Sequence, residues 1–395
     1  MKYAVIILSL FIISCEQKDH VPFQQIGKKY ETLRKVLADK EKYQVQILYT
    51  QIDRDDKNRI QLTNYAFGLD DQKYFYPAST VKLPVAILAL EWLNEQRIDG
   101  LNAESIMLTD SIRPSQSAVK YDSTAQNFLP SIAHYIKKIL LVSDNDAYNR
   151  LYELLGQDYI NTKLQSKGLN KTIINHRLSI AMSPEENRHF NPIQFHDVAG
   201  NVLLHLPARS TETVYQNLEN PHLGKAYNSN GELIEESMDF TYKNRFSLSD
   251  FHGVIQRIIF PEFFNEEQRF YISKADREFI ITYMSMLPRE SKYPKYELPE
   301  YYDSYSKFFK FGTSQEPIPA NFKIFNKTGQ AYGHLLDGSY FVDSKNDVAF
   351  FVSAIIYVNE NQTLNDNQYE YEAIGFPFFE DLGNYLYDLE LKRKK

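Results

Sequence analysis

The sequence predicts an α+β fold: an antiparallel sheet flanked by N- and C-terminal helices, with an all-helical domain inserted between its strands. Three observations carry this. Segments that alternate apolar and polar residues lie near both ends of the chain, and helical periodicity dominates the middle. The 395 residues, 43% hydrophobic with 15 glycines and 16 prolines, supply a sizeable core. Strands at both ends then complete one sheet around an inserted helical unit.

The elements follow in order. Residues 26–39 repeat apolar positions with helical spacing and end in a charged stretch. Residues 43–52, Y-Q-V-Q-I-L-Y-T-Q-I, alternate like a half-buried strand, and R-D-D-K-N makes a turn into a returning strand over 59–67. From Ser79 to about residue 200 the pattern is helical, clearest over 132–141 and 147–155. Pro84 fits a helix only near its start, where a missing N–H breaks little. Near the C-terminus, 322–327, 339–343 and 348–358 read as three strands joined by turn signals at Asp337-Gly338 and at residues 344–347. An amphipathic helix over 378–391 closes the chain.

The formal net charge of −7 argues against a nucleic-acid partner, which would demand a basic face. Nine histidines without paired ligand spacing and a single cysteine, Cys15, point to no metal site, and no cofactor is called for. The setting of Cys15 is informative. Lys2, an apolar stretch from Ala4 to Ile13, and Ser14 before the cysteine form an export signal too short to span a bilayer. A small residue, then cysteine, then polar E-Q-K-D-H resembles a bacterial lipoprotein signal. That resemblance implies a lipid anchor on Cys15, hence a membrane partner, and a place in the cell envelope facing the periplasm or the outside.

Chemistry is suggested by three short motifs. S-x-x-K occurs three times, as Ser79–Lys82, Ser117–Lys120 and Ser304–Lys307, and alone means little. The first stands out because it precedes the apolar run L-P-V-A-I-L-A-L, which puts serine and lysine one helical turn apart. Ser143-Asp144-Asn145 falls between two helical patterns, and Lys327-Thr328-Gly329 closes a predicted strand. Each tripeptide should arise by chance in about one of ten chains of this length, and both in this order far less often.

Together these three motifs resemble the active-site set of class A serine β-lactamases and penicillin-binding proteins. The likeness extends along S-T-V-K-L-P-V-A-I-L-A-L and S-D-N-D-A-Y-N-R-L, and covers most of residues 26–180 and 320–390. It implies a β-lactamase/transpeptidase-like fold, which after the signal peptide over 1–14 and a tether over 15–24 has an α/β subdomain from 25–78 plus 321–395. The helical subdomain spans 79–320, with insertions near 189–245 and 287–320. By the same resemblance Ser79 is the nucleophile, Lys82 its base and Ser143 a proton relay. Asn145, Lys327, Thr328, Gly329 and Gln330 bind a β-lactam or a peptidoglycan-stem-like substrate, with the Gln330 N–H in the oxyanion hole. Asp144 orients the loop. The implied activity is β-lactam opening through an acyl-enzyme. Cleavage or transfer at D-alanyl-D-alanine ends is the alternative, and a non-catalytic envelope binding protein on the same fold a further one. One departure stands out. The family's deacylating glutamate falls on Ser183, while Glu185 and Glu186 follow two and three residues later in a loop whose shift would bring one of them to the water.

Overall fold

The computed structural model describes residues 18–19, 21–217 and 220–393. Among these, six strands form the main sheet: β1 (Lys18–Asp19), β2 (Gln46–Arg54), β3 (Ile60–Phe67), β4 (Phe322–Ala331), β5 (His334–Asp343) and β6 (Val348–Tyr357). Their order is β1-β3-β2-β6-β5-β4. All pairings are antiparallel except the short β1–β3 contact. The two ends of the chain therefore meet at the β2–β6 pair, as the sequence predicts.

Both faces of the sheet are covered, which is why β6 reads as the nearly unbroken apolar run V-A-F-F-V-S-A-I-I-Y. Phe350, Val352, Ala354 and Ile356 face one core, under the helices α1 (Glu31–Ala38) and α8 (Phe376–Lys392). Phe351 and Ile355 face the other. That second core is shared with α2 (Lys82–Gln96), α3 (Ile132–Val142), α4 (Asn145–Leu155), α5 (Gln157–Ser166), α6 (Leu248–Ile259) and α7 (Lys274–Ser285).

Helix α2 is the centre of this second core. Every residue from Lys82 to Trp92 is buried, so it has no polar face to turn to water. Burying each large aliphatic side chain is worth roughly 1.5–3 kcal/mol. Pro84 lies in its first turn, as expected. Ser131 starts α3 by accepting from His134 N at 3.1 Å, and Asp144 starts α4 by accepting from Ala147 N at 2.8 Å. The N-terminus of α1 is capped from across the fold: Asp381 of α8 accepts from Thr32 N and Leu33 N at 2.9 and 3.1 Å.

Two expectations about the fold are corrected. The tether expected over 15–24 is partly built into the fold: Lys18–Asp19 pairs with β3, and the Phe23 ring packs 6.0 Å from that of Phe67. The Phe23 ring finds cover there, and that end of β3 loses a bare edge. Cys15 itself lies outside the described residues. Asp337-Gly338 is not a turn but the middle of β5. The turn between β4 and β5 is Tyr332-Gly333, with φ of 52° and 78°, both left-handed as a two-residue hairpin turn requires. Gly338 answers a packing need instead, since a Cβ there would stand 2.6 Å from the Phe251 ring of α6.

Short strands decorate the helical part. Ile193–His196 pairs with Ile106–Thr109 and Val202–Leu206. Ala226–Ser229 pairs with Glu232–Ile234 and reaches across to Thr363–Leu364, in the connection between β6 and α8. Asn365, Asn367, Tyr369 and Tyr371 of that connection line one cleft with Gln330 and Ala331 at the end of β4.

Candidate active site

Ser79 lies in a tight 3-10 turn, Ala78–Val81, that leads directly into α2. Ala78 has φ of 47°, a left-handed conformation that a non-glycine residue rarely adopts and that recurs at functional sites. Thr80 Oγ1 pins the turn by donating to the Pro77 carbonyl at 2.7 Å. Ala78, Thr80 and Val81 are buried while Ser79 is only half-buried, so the turn presents the serine.

Strand β4 passes close to this turn because Gly329 has no side chain. A Cβ on Gly329 would stand 2.8 Å from the Pro77 carbonyl oxygen and 3.2 Å from the Ser79 nitrogen. The next residue, Gln330, lines the same cleft as Ser79.

Behind Ser79, one hydroxyl joins two buried lysines. Lys82 Nζ donates to Asn145 Oδ1 at 2.6 Å, to the Ser143 carbonyl, and to Ser143 Oγ at 3.3 Å. From the other side Lys327 Nζ donates to Ser143 Oγ at 2.7 Å and to the Thr328 carbonyl at 2.9 Å. Ser143 reaches this position as the left-handed C-cap of α3, with φ of 62°. Burial, reinforced by the Lys327 charge, holds Lys82 well below the usual lysine range. Burial also lowers Lys327, to about 7; Lys307 adds to the lowering and Asp337 opposes it.

The cleft in front of Ser79 has a volume of about 520 Å³. Of the residues singled out from sequence, Ser79, Asn145 and Gln330 line it. Lys82, Lys327 and Thr328 are buried behind, the two lysines joined through Ser143 Oγ. The rest of the lining was not foreseen. Leu178 and Ser179 close one side, with Ser179 Oγ accepting from Asn145 Nδ2 at 2.9 Å. Tyr76 and Tyr332, ring centroids 5.0 Å apart, with Asn365, Asn367, Tyr369 and Tyr371, form an amide- and phenol-rich wall. Among the described residues lining the cleft, none is charged. No sequence motif marks this wall, because Tyr76 lies some 300 residues before Asn365; Tyr371 OH joins it to the β4–β5 turn by accepting from Gly333 N at 2.8 Å.

The two other S-x-x-K matches build nothing comparable. Ser117 Oγ accepts from the buried Arg150 at 2.8 Å, and Lys120 pairs at the surface with Asp110. Ser304 Oγ donates to the Ser314 carbonyl, while Lys307 is buried behind β4.

The loop shift expected to bring Glu185 or Glu186 to the cleft does not occur. Glu185 pairs with Arg188 and His189, and Glu186 accepts from Ser183 N at 3.1 Å. Neither lines the cleft. The cause is a well-anchored loop: Asn149 holds the Leu178 N–H and carbonyl at 2.8 and 3.0 Å, Tyr152 OH donates to the Asn187 carbonyl at 2.9 Å, and Arg177 is buried against Glu153 at 2.8 Å.

A family model described as a beta-lactamase enzyme family matches residues 28–375. The chain belongs to that family and has its serine-hydrolase fold, the β-lactamase/transpeptidase-like arrangement. No curated protein matches it. Among solved structures, the β-lactamase from Streptomyces albus G is 11% identical, with 90% of this chain and 98% of that one covered at a TM-score of 0.49. A structure titled PBP-A is 14% identical, with 94% and 98% covered and a TM-score of 0.49. The β-lactamase from Desulfarculus baarsii DSM 2075 is 12% identical, with 91% and 97% covered and a TM-score of 0.47.

Proposed function

We propose that the protein is a penicillin-reactive serine hydrolase of the class A type, acylated at Ser79. The observation that supports this best is the placement of Ser79 at the mouth of a cleft, with Lys82 one turn behind it and Ser143 between Lys82 and Lys327. A serine hydroxyl needs a neighbouring base, and a lysine that burial keeps neutral can be one. In this reading Lys82 takes the Ser79 proton as Oγ bonds to the substrate carbonyl carbon. The carbonyl oxygen becomes negative between the Ser79 and Gln330 backbone N–H groups. Ser143 then passes a proton to the departing nitrogen as the C–N bond breaks, leaving an acyl-serine ester. Lys327 and Thr328 hold the substrate carboxylate, and Asn145 its amide.

One observation favours a second substrate, the D-alanyl-D-alanine end of a peptidoglycan stem. Rapid hydrolysis of the ester needs a base within reach of a water. No carboxylate lies among the described residues lining the cleft, so release of the acyl group is the slow step. With a chromogenic cephalosporin the wild type should give a burst of about one product per enzyme and then a slow steady state. Glu185→Gln and Glu186→Gln should match the wild-type steady rate within about twofold. A fall of 10²-fold or more, the usual loss of a general base, would return one of them to the mechanism. Absence of both burst and steady turnover would leave the non-catalytic reading. Export and anchoring through Cys15 belong to the same proposal and rest on the signal at residues 1–15.

A further inference from the structure

Three buried polar residues behind the strand that carries Lys327 have no task in the chemistry above. Lys307 comes from the 288–320 stretch, Asn326 directly precedes Lys327 on β4, and Asp337 stands opposite Thr328 on β5. Lys307 Nζ donates to Asn326 Oδ1 and to the Met284 carbonyl, both at 2.6 Å. Asn326 Nδ2 donates onward to Asp337 Oδ1 at 2.9 Å and to the Ser306 carbonyl at 2.8 Å. Asp337 also accepts from Phe308 N and Ser339 Oγ, each at 3.0 Å. A cation and an anion are thus buried on either side of one amide, and that amide belongs to the residue before Lys327.

A bland reading exists: the network pins residues 304–309 to the sheet. The bonds to the Ser306 carbonyl and the Phe308 N–H do that. They do not need two ionisable groups, each of which costs several kcal/mol to bury, and an apolar replacement of a buried pair is often at least as stable. What the pair adds is a field at Lys327. The charged groups that act there are Lys307 and Asp337, with Lys82 reached through Ser143 Oγ; Asp144 acts on Lys82, and Glu290 and Lys323 act on Lys307. The two members work on Lys327 in opposite senses, Asp337 favouring its charged form and Lys307 disfavouring it.

We propose that Lys307 and Asp337 are positioning residues for Lys327: through Asn326 they fix the strand that carries it, and their opposed charges hold its ammonium poised to take up a substrate carboxylate. The inference rests on the reading of Ser79 and Lys327 given above. The network contacts no substrate itself.

The test uses the whole protein and the second-order rate constant of acylation by a penicillin, measured across pH. In the free enzyme its alkaline limb reports the loss of the Lys327 proton. Lys307→Met removes the like charge and should move that limb up by about one pH unit; Asp337→Asn should move it down by a similar amount. Limbs that stay in place, or move the same way in both variants, overturn the proposal. A purely structural network would lower the rate and the melting temperature in both variants without displacing the limbs in opposite directions.

Either variant can unfold, so a second arm uses the wild type. With lysine Cε labelled for NMR, Lys307 and Lys327 should titrate as a coupled pair, each resonance moving in two steps. In Lys327→Met the Lys307 resonance should lose the step that tracks Lys327 and keep any that tracks Asp337. Independent single-step titrations in the wild type overturn the proposal. Wild-type protein that is never acylated would instead sink the Ser79 reading, while the NMR arm still judges the network.

Discussion

Ser143 Oγ accepts from Lys82 on one side and Lys327 on the other, so two ammonium groups compete for one hydroxyl. Both cannot comfortably carry charge. Burial and the Lys327 charge put the deprotonated form on Lys82, which leaves Lys327 to carry the proton. The proposed acylation then needs neutral Lys82 and charged Lys327. Its rate constant should fall as pH rises through about 7, where the free enzyme loses the Lys327 proton. A bound carboxylate favours the ammonium, so the limb should lie higher in the saturated rate than in the second-order constant. Superimposable limbs would remove Lys327 from carboxylate binding. The nucleophile is tested more directly. Ser79→Ala should abolish covalent attachment of a labelled penicillin, whereas Ser117→Ala and Ser304→Ala should keep it. Labelling that survives Ser79→Ala would move the active site elsewhere.

At the scale of elements, β2, β3 and β6 were legible because their alternation or apolar run reports directly which faces are covered. The β4–β5 hairpin was misread at one point for a physical reason. Asp-Gly is a strong turn signal, but here Asp337 is buried in a hydrogen-bond network and Gly338 makes room for α6. The turn falls instead on Tyr332-Gly333, where the left-handed tyrosine is held by rings of Tyr76 and Phe240 at 5.0 and 5.2 Å. In the site, motif residues were legible because three short strings occur in order. The Tyr–Asn wall and Lys307 were not, since each depends on contacts between distant segments. Gly338→Ala must push the Phe251 ring, so it should destabilise the fold by about 1–3 kcal/mol, the usual range for overpacking. A urea midpoint equal to that of the wild type would mean that α6 yields at no cost.

Across the whole molecule, three buried lysines, Lys82, Lys307 and Lys327, are held below their usual range, chiefly by burial. In the unfolded chain they bind protons that the folded protein releases. Stability should therefore rise with pH from about 7, the value for Lys327, toward the unfolded lysine range near 10. Each lysine contributes at most about 1.4 kcal/mol per pH unit. Above that window the trend reverses, because burial raises Tyr74, Tyr76 and Tyr148 and the folded state retains their protons. Urea unfolding at pH 7 and pH 9 measures the rise, and Lys327→Met should show less of it; a flat profile would mean the lysines are solvated. Attachment to a membrane is tested separately. Cys15→Ala should move the protein from the membrane to the soluble fraction, and unchanged fractionation would assign the anchor to another residue.

The β2–β6 pair has a kinetic meaning as well as an architectural one. Leu48 lies opposite Ser353, residues roughly 300 positions apart. Bringing such distant segments together is slow, and contacts of this range form late. Until residue 348 and those after it exist and dock, β2 and β3 are a hairpin with one apolar edge unpaired, and α2 has no sheet to bury against. The chain up to residue 347 is thus an adhesive fragment rather than a folding unit, open to pairing with its neighbours. The last strand of the main sheet to be made is the one that closes its centre.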